Sequence, residues 1–105
     1  MADHVIRVSG KVRPGKYIYD AKTVLRKHGQ VEFHAIGGSI VTALKTSDRL
    51  VELGYATLAK VETQTLDDTR EGSARIVGKL VVALQKTDRF EAIDEEWQKQ
   101  REAQK

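Results

Sequence analysis

Gln30-Val31-Glu32-Phe33-His34-Ala35-Ile36 alternates apolar and polar residues without a break, and Gly37-Gly38-Ser39 then turns the chain into Ile40. Val31, Phe33 and Ala35 share one face while Gln30, Glu32 and His34 share the other, which is the pattern of a half-buried strand. Beyond the glycines the apolar spacing lengthens. Ile40, Leu44, Ser47 and Val51 form a stripe that predicts a helix over 40–53, with Gly54 as its stop. A one-faced strand and a one-striped helix must bury their apolar sides against each other, so the layers of the fold are a sheet and helices.

On the N-terminal side, Ile18, Ala21 and Leu25, with Val24 beside them, predict a helix over 17–28 that Gly29 ends. The segment before it, Gly10-Lys11-Val12-Arg13-Pro14-Gly15-Lys16, reads as a basic loop, and Val5-Ile6-Arg7-Val8-Ser9 as a short strand. On the C-terminal side, residues 56–66 favour a strand, although their alternation is weak. Residues 67–74 form a polar hairpin loop, and Arg75 to Lys86 is the last strand, with Ile76, Leu80, Val82 and Leu84 on one side. Both strands are longer than average, so the hairpin is expected to project. Phe90, Ile93 and Trp97 stand at helical spacing in a tail over 88–105. The expected fold is therefore α/β: a two-layer β-α-β-α-β-β sandwich with a long β-hairpin and a C-terminal tail helix, divided into a domain over 5–87 and a tail over 88–105.

The 105 residues suffice for one domain, and 40% hydrophobic residues with one proline describe a globular chain. No cysteine is present, so disulfides and thiolate metal sites are excluded. Residues 1–90 hold 15 Lys/Arg against 10 Asp/Glu, and residues 91–105 hold 3 against 5, a basic body with an acidic tail. That balance suggests a polyanionic partner. No window is apolar enough to span a bilayer and the start lacks a secretory pattern, so a soluble protein without membrane contact is expected, in the cytoplasm, the nucleus or both.

Catalytic patterns are weak. Residues 10–16 fit the G-x-x-x-x-G-K core of a phosphate loop, but Tyr17 stands where magnesium needs Ser or Thr, and Pro14 removes a backbone donor. His4, His28 and His34 have no metal-ligand spacing, and no cofactor is implied. What remains is a loop of cations, Lys11, Arg13 and Lys16, suited to phosphates. Arg70 and Arg75 sit on the hairpin, where arginines suit a groove or a second stretch of backbone. Lys22, Arg26 and Lys45 are secondary candidates if they share that face. Tyr17 and Tyr19 are expected against the sheet, and Trp97 as an anchor for the tail. Leu50, Leu53, Tyr55 and Leu58 crowd one end of the second helix and cannot all face one small core, which leaves an apolar patch for a partner or for the tail.

Ile6-Arg7-Val8-Ser9, Tyr17-Ile18-Tyr19-Asp20-Ala21, the stretch Val31 to Ile40 and Gly54-Tyr55-Ala56 together resemble the Alba family of DNA- and RNA-binding proteins over most of residues 5–90. In the family's Gly-x-Ala-Ile turn, Ser39 stands for alanine, and Gly38 replaces a residue that is often basic. The resemblance implies the same β-α-β-α-β-β fold, no enzymatic activity, and a homodimer or a heterodimer with another Alba-like protein. Its hairpin arms would lie along DNA or RNA while the loop after the first strand meets the backbone. Family members often carry a lysine pair in that loop, one of them an acetylation target in archaeal members, and here the pair is not intact. Lys11 takes the place of its second member when aligned from the strand, and Arg13 does when aligned from Pro14. The family's relatives in RNase P and MRP ribonucleoproteins imply an alternative role, a protein-interaction subunit of a ribonucleoprotein.

Overall fold

The structure, a computed structural model, describes residues 4–9, 11–68 and 75–103. Its elements in order are β1 (Val5–Arg7), α1 (Pro14–His28), β2 (Gln30–Ile36), a 3-10 turn (Gly37–Ser39), α2 (Ile40–Glu52), β3 (Ala56–Asp68), β4 (Arg75–Lys86) and α3 (Phe90–Ala103). The sheet runs β1-β2-β4-β3, with β1 parallel to β2 and the other pairs antiparallel. The helical side of the sheet buries Val31, Phe33, Ala35, Leu80, Val82 and Leu84 against Ala21 and Leu25 of α1 and Ala43 and Leu50 of α2. The sandwich expected from periodicity is the observed fold.

Several boundaries differ from expectation for identifiable reasons. The β1 pairing runs to Arg7, with the Val8 N–H donating to the His34 carbonyl at 2.9 Å as a last bond to β2, and beyond it the Ser9 N–H donates to the Tyr17 hydroxyl at 2.7 Å. Helix α1 starts at Pro14 rather than Tyr17. Proline's fixed φ and missing N–H suit the first helical position, so Pro14 opens the helix instead of closing the loop. The weak alternation of β3 has its cause in a bulge: the register to β4 jumps between Leu58 and Lys60, so Leu58 and Val61, three apart, point to the same side.

Helix α2 buries only part of the expected stripe: Ser47 is buried and Ile40 packs against the core, but Leu44 and Val51 do not. Ala43, Thr46, Ser47 and Leu50 face the sheet, while Val41, Leu44 and Val51 are exposed. Small residues let the helix lie close to the strands, and the Thr46 hydroxyl donates to the Thr42 carbonyl at 2.8 Å, which satisfies it inside the core.

The hairpin projects. β2 pairs with β4 only as far as Ile36 opposite Lys79, and from Thr65 opposite Gly78 to Asp68 opposite Arg75 the two long strands pair with each other alone.

Candidate nucleic-acid interface

Because β1 and β2 run parallel, the turns that follow them leave the sheet at the same end. Each is held by a side chain. The Tyr17 hydroxyl accepts from the Ser9 N–H and donates to the Ser9 carbonyl, which ties the basic loop to α1. The Ser39 hydroxyl accepts from the Ile36 N–H at 3.1 Å and donates to the Ile36 carbonyl at 2.8 Å, closing the turn that Gly37 opens at φ +60°. Between these turns lies an open groove of about 670 Å³, lined by Arg7, Lys11, His34, Gly38, Ser39 and Lys79 among others. The sheet register explains the set: Arg7 lies opposite His34 and Lys79 opposite Ile36, all on the side away from the helices. No carboxylate lines the groove, and among the described residues Arg7, Lys11 and Lys79 have no ion-pair partner. Three cations around a concavity set up a field that attracts anions.

The residues proposed from sequence divide among several places. Lys11 lines the groove; Arg13, exposed at the N-cap of α1, and Lys16 in its first turn do not. Lys16 is paired with Asp20 at 3.1 Å. Since Pro14, Gly15 and Lys16 are helical, the string that matches a phosphate loop does not form one. Arg70 lies outside the described residues, and Arg75 opens β4 opposite Asp68. Lys45 is exposed on α2.

Arg7 and Lys79 were missed by sequence reasoning. Arg7 precedes a core valine in a strand too short to show its faces. Lys79 lies 68 residues from Lys11, and only the β2–β4 register joins them. Beside the groove, the Glu32 carboxylate meets His34 at 3.1 Å and His4 at 2.9 Å, and these hydrogen bonds hold it below the usual carboxylate range.

Helix α3 buries Lys22 and ties down Arg26, which stays about a third exposed. Arg26 donates two hydrogen bonds to the Asp94 carboxylate, Nη2 to Oδ1 at 2.9 Å and Nε to Oδ2. That guanidinium holds the Asp94 carboxyl below its ordinary value. The Lys22 ammonium is buried 3.8 Å from the centre of the Trp97 ring and 4.7 Å from that of Tyr55. Burial lowers its pKa, and Asp94 opposes that effect. Tyr19 meets Trp97 edge-on at 6.1 Å, and Arg101 lies over both rings. Trp97 does anchor the tail, through cations and rings.

The Alba family profile matches residues 4–67. The chain belongs to the Alba family. Alba proteins generally bind nucleic acids and often form dimers, and they are generally not enzymes. The crystal structure of ALBA1 from Trypanosoma brucei superposes with a TM-score of 0.86 at 26% identity, covering 99% of this chain and 87% of that one. Alba from Thermoplasma volcanium, at 18% identity, shares the fold with a TM-score of 0.67 over 78% of this chain and 99% of its own. An uncharacterized Arabidopsis thaliana protein is 30% identical over 91 residues, 84% of this chain and 70% of that protein. In this Alba chain the turn after β2 carries Gly38 where the family often has a basic residue, and Arg7 and Lys79 supply charge around the same turn.

Proposed function

We propose that this Alba protein binds DNA or RNA without catalysis and largely without sequence preference, as a dimer. The groove carries the reading. Arg7, Lys11 and Lys79 converge on one concavity with no carboxylate, and Arg13 and Lys16 extend the positive surface onto the first turn of α1. Cations at the end of a sheet meet phosphates, which every sequence presents alike. The projecting hairpin is the proposed second contact with a groove or backbone, through Arg75 and through Arg70, which lies outside the described residues.

A partner copy, or another Alba-like chain, is supported by the apolar surface that the fold leaves uncovered. Val41, Leu44 and Val51 of α2 are exposed, and so are Leu58 and Val61 of β3, whose side chains share the helical side of the sheet with their partners Leu84 and Val82. An exposed strip of that kind marks an interaction surface. Pairing would set two basic grooves along one polyanion and raise affinity through effective concentration. The same strip suits the heterotypic partner that a role in a ribonucleoprotein requires.

A salt series tests the electrostatic reading. If a dimer neutralises about 6 phosphates, log K against log salt falls with a slope of about −5 on duplex DNA and about −4 on a single strand. Lys11→Glu with Lys79→Glu should weaken binding to unrelated sequences equally, by about tenfold or more, and flatten the slope by about 2 per protomer. Circular dichroism should show the fold intact. A slope near zero, or unchanged affinity in the folded variant, would sink the proposal.

A further inference from the structure

Helix α3 sits on a surface whose side chains are the kinds that hold single-stranded nucleic acid. Along one flank α1 presents Tyr19, Lys22 and Arg26, at spacings of three and four residues that align them in a row. Tyr55 lies beside Lys22. Proteins that hold single strands without reading sequence use cations for the phosphates and aromatic rings for the bases. The row also continues the proposed interface. Lys16 lies on the same helix, so the cations from Lys16 to Arg26 span about 15 Å at the helical rise.

Against this row α3 sets groups that imitate a nucleotide. The Asp94 carboxylate takes two hydrogen bonds from Arg26, the fork by which a guanidinium also grips a phosphate. The Trp97 indole packs over the Lys22 ammonium and against Tyr19, where a base would stack. The helix also carries Glu91, Asp94, Glu95, Glu96 and Glu102 against Lys99 and Arg101, so while docked it repels an approaching strand.

We propose that the α1 flank bearing Tyr19, Lys22 and Arg26 is a second contact surface for single-stranded nucleic acid, and that α3 is its built-in competitor. The inference rests on the nucleic-acid-binding function proposed above. Leaving its seat costs α3 the contacts of Asp94 and Trp97, and a strand replaces both kinds of contact at once. The strand therefore shifts the helix between docked and released states by its greater affinity for the released one. Duplex DNA, with its bases stacked inside, replaces only the carboxylate.

Hydrogen exchange on the full wild-type chain tests this, with a short uridine homopolymer and a DNA duplex as probes. At saturating homopolymer the α3 amides should exchange at least about fivefold faster, with the same midpoint as binding, while duplex leaves them nearly unchanged. Asp94→Asn, which weakens the docked state, should tighten homopolymer binding by about threefold to tenfold, and adding Arg26→Ala should abolish that gain. Exchange in α3 that is unchanged or slowed at saturation overturns the proposal, as does a gain that survives Arg26→Ala. Binding of duplex with none of homopolymer also overturns it and leaves the proposed function standing. Binding of neither removes the function itself.

Discussion

The Asp94 carboxylate accepts two hydrogen bonds from Arg26 and a third from Gln98 at 2.9 Å, and its side chain is buried. Its pKa in the folded state lies below that of the unfolded chain, near 3.9. The unfolded state therefore binds more protons as pH falls, so the stability Asp94 contributes is present above about pH 4 and lost below it, as the folded carboxyl takes up its proton. Asp94→Asn should lower stability at pH 7 by about 2 kcal/mol. That is less than a fully buried pair loses, because Arg26 is about a third exposed. The deficit should shrink as pH falls from about 4 toward 2. Denaturant titrations of both proteins at several pH values check this, and a deficit that stays constant down to pH 2 would refute the linkage.

At the scale of elements, α3 is fixed to the body at the turn between α2 and β3. Gly54 has φ +88°, and a Cβ there would lie 2.9 Å from Cδ1 of Ile93. The Thr87 hydroxyl donates to the Gly54 carbonyl at 2.7 Å and the Thr87 N–H to the Tyr55 carbonyl at 3.1 Å, so the turn also holds the connection into α3. Gly54→Ala meets two costs, a left-handed backbone with a Cβ and displacement of Ile93, together about 2–3 kcal/mol. The expected fall in Tm is on the order of 10 °C. Adding Ile93→Ala to Gly54→Ala should lower stability less than Ile93→Ala lowers it alone plus the Gly54→Ala loss, since the clash is then gone. Strict additivity in that cycle would show that the two residues do not compete for space.

At the scale of the whole molecule, α3 covers one end of the apolar surface and leaves the rest open. Phe90 packs edge-on to Tyr55 at 5.7 Å, and Ile93 closes over Gly54. Leu44 and Leu58 remain about half exposed, at 48% and 58%. A tail that does not cover them cannot substitute for a partner there. Leu44→Glu with Leu58→Glu should therefore abolish self-association while leaving the monomer fold intact, because neither side chain is in the core. Sedimentation equilibrium at tens of micromolar reads the outcome, and nucleic-acid affinity should fall severalfold with the lost second site. A wild-type chain that is monomeric at that concentration rules out the homodimer.

Period-two alternation in residues 30–36, helical spacing in 17–28 and Gly29 as a stop are local properties of the chain, and they sufficed to specify β2, α1 and the layered α/β fold. Local order also placed the long final hairpin and the helical tail. The basic loop was legible as charge, since Lys11, Arg13 and Lys16 are neighbours in sequence. Other features depend on which surfaces meet. Helix α2 carries two candidate stripes, and only its packing in the assembled layers selects Ala43, Thr46 and Leu50 over Leu44 and Val51. The bulge in β3 hides the phase of Leu58 and Val61 from any reading by alternation. Lys79 joins Lys11 through strand pairing, and a helix that begins more than 60 residues later buries Lys22 and pairs Arg26 with Asp94. Periodicity is set by bonds along the backbone and can be read from the chain. The groove and the seat of α3 arise from contacts between residues far apart in sequence, and those exist only after the layers have packed.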